Sequence, residues 1–182
     1  MIVALIGATG NAGSRILAEL IRRGHEVRAL VRHPEKVPIR AGVTAHQVDA
    51  NDLPALSRCV AGAVVSSVKF KDTDTGVLIE AVRRAGLRRY LVVGGAGSLE
   101  IAPGLREVDG PGFPPHVRPE ALKGAAFLEQ LRASDLDWTF LSPSRMVDAS
   151  GRSSISYEDY AVALVDELER PKHLCRRFTV GY

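Results

Sequence analysis

Within the first thirteen residues an apolar run, Ile2-Val3-Ala4-Leu5-Ile6, meets Gly7-Ala8-Thr9-Gly10-Asn11-Ala12-Gly13 and passes directly into a helical pattern. A continuous apolar run ended by glycine marks a strand buried on both faces. Beyond the turn, Ala12, Ile16, Leu17, Leu20 and Ile21 fall on one helical stripe. Arg22-Arg23 and then Gly24 stop that helix, with cations at the negative end of its dipole. Glycines at 7, 10 and 13 remove the Cβ atoms that would block a tight turn and the close approach of a phosphate. The helix start then offers free N–H groups to a pyrophosphate. The strand before, the helix after and the N-terminal position separate this triplet from a plain tight turn.

Strand and helix keep alternating. Glu26 to Val31 and Val43 to Val48 read as the second and third strands, followed by a short helix over Leu53 to Val60. Ala63 to Val68 is the fourth strand, and Val77, Leu78, Ala81, Val82 and Ala85 mark a helix closed by Gly86. Tyr90 to Val93 is the fifth strand, ending at Gly94-Gly95. Helical spacing returns in Ala121, Ala125, Leu128 and Leu131, and Trp138 to Leu141 is a sixth strand ended by Ser142-Pro143. Ser156-Tyr157-Glu158-Asp159 resembles a capping box opening a last helix, stopped by Pro171. Arg177 to Val180 suits a final short strand. Gly97 to Pro119, with 4 glycines and 5 prolines, has no sustained periodicity; a loop this long in a compact domain is usually functional or mobile. Strands separated by helices predict an α/β fold, a Rossmann-type doubly wound parallel sheet of order 3-2-1-4-5-6. With no linker or internal repeat, residues 1–182 read as a single domain.

Composition narrows the function classes. The 182 residues are 46% hydrophobic and 25% charged, which suits a globular chain able to bury a core without staples. Cys59 and Cys175 are the only cysteines, too few for a disulfide framework, and read as packing residues. The 5 histidines lack metal-ligand spacing, so no metal site is expected. A net charge of +3 is spread along the chain and aromatics are 5%, which argues against a nucleic-acid binder. Apolar runs are strand-length, and Met1 to Ile6 lacks a basic leader, so the expectation is a cytoplasmic protein with no membrane contact. A monomer or homodimer acting on a small molecule is anticipated.

The Gly-x-x-Gly-x-x-Gly spacing resembles the short-chain dehydrogenase/reductase superfamily. Val92-Val93-Gly94-Gly95-Ala96-Gly97-Ser98-Leu99, Leu136 to Pro143 and Ile155 to Ala161 are similar to its atypical branch. Within that branch they resemble the NAD(P)H-binding NADH-flavin reductase group, near the NmrA-like and flavin/biliverdin reductase proteins. That resemblance implies a nicotinamide dinucleotide on the glycine loop. At the end of the second strand, where an NAD enzyme usually carries an acid for the ribose hydroxyl, stands Arg32, with Lys36 nearby. A guanidinium there can clamp a 2′-phosphate, so NADPH is favoured and NADH is the alternative. Asp49 resembles the family's adenine-contact acid, although it could equally cap the next helix, for which Asn51 and Asp52 are better placed. Ser66, Ser67 and Val68 should lie beside the nicotinamide ribose, and Gly94, Gly95, Ser142 and Pro143 complete the expected cofactor set.

The sequence departs from its superfamily at the proton donor. Most short-chain reductases use Tyr-x-x-x-Lys, where a lysine-tuned tyrosine protonates a carbonyl oxygen. The matching stretch is Pro119-Glu120-Ala121-Leu122-Lys123, with proline at the tyrosine position. Hydride transfer to a flavin or quinone suits this better, because the acceptor ring takes the hydride directly and solvent can supply the proton. Lys123, as a contact to the nicotinamide ribose, and Ser98, on the glycine-rich turn, are the candidate catalytic residues; Ser98 lacks the nucleophile-elbow pattern of a hydrolase. Phe113 and His116, in the long loop, are the candidate substrate contacts, and Tyr157 and Tyr160 are expected to be dispensable for proton transfer. The competing expectation is a non-catalytic dinucleotide sensor of NmrA-like type; an epimerase is disfavoured by Pro119. Finally, the resemblance runs to Ser144 and resumes near Val147-Asp148, where the family carries an additional stretch. Either a pocket wall is shortened here or residues are missing, and a break at Ser144-Arg145 is the expectation.

Overall fold

A computed structural model of the protein describes residues 1–143 and 155–181. The Ser144-Arg145 junction lies outside the described residues. In chain order the elements are β1 (Ile2–Ile6), α1 (Asn11–Arg22), β2 (Glu26–Val31), β3 (Val43–Gln47), α2 (Leu53–Cys59), β4 (Ala63–Ser66) and α3 (Thr75–Arg84). There follow β5 (Arg89–Val93), β6 (Glu100–Ala102), β7 (Leu105–Arg106), α4 (Arg118–Arg132), β8 (Asp137–Pro143), α5 (Tyr157–Glu169) and β9 (Arg176–Val180). Seven strands form one parallel sheet in the order β3-β2-β1-β4-β5-β8-β9. This is the doubly wound, Rossmann-like topology that the alternation predicts. The sixth strand of the sequence reading is β8, and the last short strand pairs beside it as β9. The stretch without periodicity holds the small antiparallel hairpin β6–β7, and Val108 behind it is fully buried.

Alternation within the strands assigns each side chain to a layer. In β1, Val3 and Leu5 face the α1–α5 layer, while Ala4 and Ile6 face α2, α3 and α4. The first layer packs Ile16, Leu17 and Leu20 against Leu164, Val165 and Leu168; the second packs Leu56, Leu78, Phe127 and Leu128 with Phe70 and Phe140. Each such side chain removed from water contributes about 1.5–3 kcal/mol, before the conformational entropy that opposes folding. Because every sheet strand runs the same way, all loops that lead into helices gather at one edge. The fourth strand ends at Ser66, two residues earlier than expected, so Ser67 and Val68 leave the sheet into that edge.

Glu19 breaks the apolar stripe of α1 and is nonetheless buried. It accepts hydrogen bonds from Arg22 and Arg23 at 2.7 Å each, and Arg23 reaches on to Asp166 and Glu169 of α5, also at 2.7 Å. The Arg22 hydrogen bonds outweigh burial and, with Arg23, hold the Glu19 carboxyl at about 2 instead of 4.5. A carboxyl depressed in the folded chain stabilises it above the ordinary value, and that stability is lost as pH falls through the depressed one. Urea unfolding should therefore show stability falling between pH 4.5 and about 2, with a shallower fall in Glu19→Gln. An identical acid slope in the two proteins would refute this assignment.

Candidate functional site

Two adjoining clefts open at the carboxyl edge of the sheet. The first, about 290 Å³, is bounded by Gly7, Thr9 and Gly10, by Arg32 and His33 after β2, by Asp49 and Asn51 after β3, and by Ser67, Val68 and Lys69 after β4. The second, about 910 Å³, lies over Gly94 to Ser98, the long loop and the start of α4. Val68 lines both.

The three glycines of the first turn have different reasons. Gly7 has φ +82°, and a Cβ on it would lie 2.1 Å from the Ser67 carbonyl oxygen. A Cβ on Gly13 would lie 2.1 Å from the Gly7 oxygen. Both are demanded by the chain's own packing. Gly10 is not: its backbone is ordinary and a Cβ there would meet no protein atom closer than 3.6 Å. The space it leaves belongs to the cleft. The start of α1 behind it has no side-chain cap and no acidic residue in its first turn. Helix geometry leaves N–H groups free at such a start, and an anion is stabilised there. The cradle therefore fits the pyrophosphate of a dinucleotide.

Arg32 is exposed on the rim of this cleft, and among the described residues its guanidinium has no ion-pair or hydrogen-bond partner. Asp49 takes a lining position, with Oδ1 accepting the Asn51 N–H at 2.8 Å. The helix-capping alternative goes to Asp52, which accepts the Ala55 N–H. Asn51 staples the two loops, accepting the Asp74 N–H at 2.7 Å and donating to the Asp72 carbonyl at 3.2 Å.

Not every expected residue reaches a cleft. Ser66 and Ser142 are buried beneath the floor: the Tyr90 hydroxyl donates to Ser66 Oγ at 2.9 Å, and Ser142 donates to the Gly95 carbonyl at 2.9 Å. Ala8 and Gly13 pack inside the turn, while Asn11 and Ala12 belong to α1 without lining either cleft. Lys123 is a correction. Val117, Glu120, Ala121 and Gly124 share the cleft face of α4 at helical spacing, and Lys123 falls on another side. It is exposed in a shallow depression with Lys71, Thr73 and Gln130, and lines neither cleft.

The second cleft gathers Gly94, Gly95 and Pro143 of the expected cofactor set with Ser98, Phe113 and His116, and adds Glu120 and Tyr157. Ser98 is buried, with its carbonyl and hydroxyl oxygens facing the Arg177 guanidinium of β9. Tyr157 is half exposed, with Arg15 6.0 Å from its ring centre. The signal that could have found both additions is positional. In a parallel sheet every crossover helix begins at the carboxyl edge, so residues of its first turn face the ligand edge. Tyr157 follows the Ser156 cap of α5, and Glu120 stands in the first turn of α4. Tyr160, a turn further, is buried; burial pushes its hydroxyl far above the ordinary range, and it donates to the Leu141 carbonyl.

A family model described as NAD(P)H-binding matches residues 7–169. The YwnB protein of Bacillus subtilis is 38% identical over 209 aligned residues, covering 99% of this chain and 98% of that protein. That alignment is longer than the 182 residues here, so YwnB carries residues without a counterpart. Among solved structures, a protein of Bacteroides thetaiotaomicron provisionally named an epimerase is 39% identical, with a TM-score of 0.91, covering 100% of this chain and 96% of that one. A protein of Streptococcus pneumoniae provisionally named an NADH-flavin reductase is 32% identical, with a TM-score of 0.81 and 98% of both chains covered.

The glycines give a clean test. Gly13→Ala forces a Cβ into a carbonyl oxygen and should cost about 1–3 kcal/mol of stability. Gly10→Ala should stay within about 1 kcal/mol of the parent while weakening dinucleotide binding. Thermal melts and NADPH titrations of both variants check this; equal melting losses would refute the distinction.

Proposed function

We propose that this chain, which belongs to the NAD(P)H-binding family, is an NADPH-dependent reductase passing hydride to a flavin- or quinone-like ring. The observation that carries the reading is the pair of clefts adjoining at Val68, one lined by polar groups and the glycine turn, the other walled by Phe113, Tyr157 and glycines. When bound, the reduced dinucleotide supplies a hydride. Gly7, Thr9, Gly10 and the start of α1 hold its pyrophosphate, Arg32 takes the 2′-phosphate, and Asp49 borders the adenine. Ser67 and Val68 bring the reactive end to the second cleft. There Phe113 and Tyr157 offer aromatic surface to a planar acceptor, and the backbone of Gly94 and Gly95 lets it approach closely.

The chain supplies no tyrosine in the superfamily's acid position. Pro119 instead fits the first turn of α4, where a missing N–H costs nothing. Tyr160 is committed to the Leu141 carbonyl. Proton delivery therefore falls to solvent, as an acceptor ring that takes hydride directly allows. The second, acceptor-sized cleft is what favours an enzyme over a non-catalytic sensor, which needs only the first.

Three measurements bear on this. NADPH consumption against flavins, quinones and aldehydes should be steady with the first two classes; tight NADPH binding without consumption by any would favour the sensor. NADPH should bind more tightly than NADH, and Arg32→Ala should lose a charge-assisted contact of about 1.5–3 kcal/mol, roughly tenfold to hundredfold in affinity, for NADPH alone. Equal affinity for both cofactors in the parent would overturn that assignment. Tyr157→Phe should keep turnover within a few-fold and leave the pH profile unchanged; a loss of orders of magnitude in a folded variant would identify Tyr157 as the acid.

A further inference from the structure

Glu120 stands next to the proline that replaces the superfamily tyrosine, and its carboxylate is turned toward the segment after β4. Oε1 accepts the Phe70 N–H at 2.7 Å and Oε2 accepts the Lys71 N–H at 2.8 Å. These N–H groups open a single 3₁₀ turn, Phe70–Asp72, whose capping residue Lys69 makes no side-chain cap. The segment they terminate is divided between the clefts: Lys69 lines the first, Phe70 the second and Val68 both. Its other end is fixed by the Ser67 N–H on the Ile6 carbonyl at 2.8 Å. Phe70 is clamped from below, with ring centres 5.8 Å from Phe127 and 6.4 Å from Phe140. A Cβ on Gly124 would come 2.8 Å from that ring, so α4 presses on the same point.

The geometry points to Glu120 as a positioning residue for hydride transfer, holding Val68 at the boundary where the rings of donor and acceptor must meet. This rests on the reductase reading above. Backbone donors engage both carboxylate oxygens, which ties the side chain to the Val68–Phe70 segment and not to a reacting atom. Its effect is therefore on the relative placement of two bound rings, and a displacement of about 1 Å there can cost up to a hundredfold in rate. The dinucleotide's adenine half, held by Arg32, Asp49 and the glycine turn, lies outside its reach.

The test uses the full chain with Glu120→Ala and Glu120→Gln, the latter keeping one acceptor oxygen. Amide hydrogen exchange at residues 68–71 should rise in the alanine variant and less in the glutamine variant, while residues 7–13 stay protected. NADPH affinity should remain within about threefold, and the single-turnover rate with the best acceptor should fall roughly tenfold to hundredfold, with partial rescue by glutamine. The deuterium isotope effect with 4-deuterated NADPH should grow as hydride transfer becomes limiting. Unchanged exchange at 68–71, an unchanged rate in an active background, or a joint loss of melting temperature and NADPH affinity in both variants would overturn the role of Glu120. A parent protein that binds NADPH and reduces no flavin or quinone would overturn the reductase reading itself, a result visible without either variant.

Discussion

At the first turn of the chain, backbone meets backbone with no room for a side chain. The Gly7 carbonyl is pressed by Gly13 from the helix, and the Gly7 Cα faces the Ser67 carbonyl across the sheet edge, each at a distance a Cβ would reduce to 2.1 Å. Those two approaches seat α1 on the sheet and fix β1 beside β4. They also set the cleft, because Gly10 lies between them with open space where the others have neighbours. A turn that packing alone explained would need two glycines; the third faces the cleft.

The two ends of the sheet handle polar groups in opposite ways. At the amino edge, Glu167 is buried between α5 and β8. It accepts from the Lys172 and His173 N–H groups, the His173 ring and the Thr139 hydroxyl, and pairs with Arg89 at 3.3 Å. Burial works against its charge, but the His173 and Lys172 donors overcome it and hold the carboxyl below its ordinary value. Arg89 pays in turn, its guanidinium shifted downward chiefly by burial. The cluster locks α5, β5 and β8 together. At the carboxyl edge Arg32 is exposed to solvent, while Asn51 and Glu120 tie loops together, Glu120 by accepting the Phe70 and Lys71 N–H groups and Asn51 by accepting the Asp74 N–H and donating to the Asp72 carbonyl. Buried groups paired with one another make a rigid base at one end, where only Arg89 Nε among the cluster's described atoms is left without a hydrogen bond, and the exposed Arg32 is available at the other.

The start of α4 fits the same logic. Proline at 119 starts α4 cleanly, and the turn it starts delivers Glu120 to the loop after β4 while Ala121 sits under Gly97. Glu120 ties the segment that forms the wall between the two clefts.

Sequence by itself determined the parallel α/β fold, the order of its first six sheet strands and the glycine turn, because apolar periodicity and Cβ sterics are local properties. It also determined Arg32 and Asp49 as cleft residues, since strand ends in this topology have a fixed destination. Only the tertiary structure decided which first-turn residues of α4 and α5 face inward. A residue's angle around a helix becomes meaningful once the helix is docked, and docking turned Glu120 and Tyr157 in and Lys123 out. Burial of Ser66 and Ser142 was likewise a tertiary decision, made by the partners Tyr90 and Gly95 that lie far away in sequence. The charge chain from Glu19 to α5 was hidden for the same reason: a glutamate on a helix looks solvated until arginines and a second helix close over it.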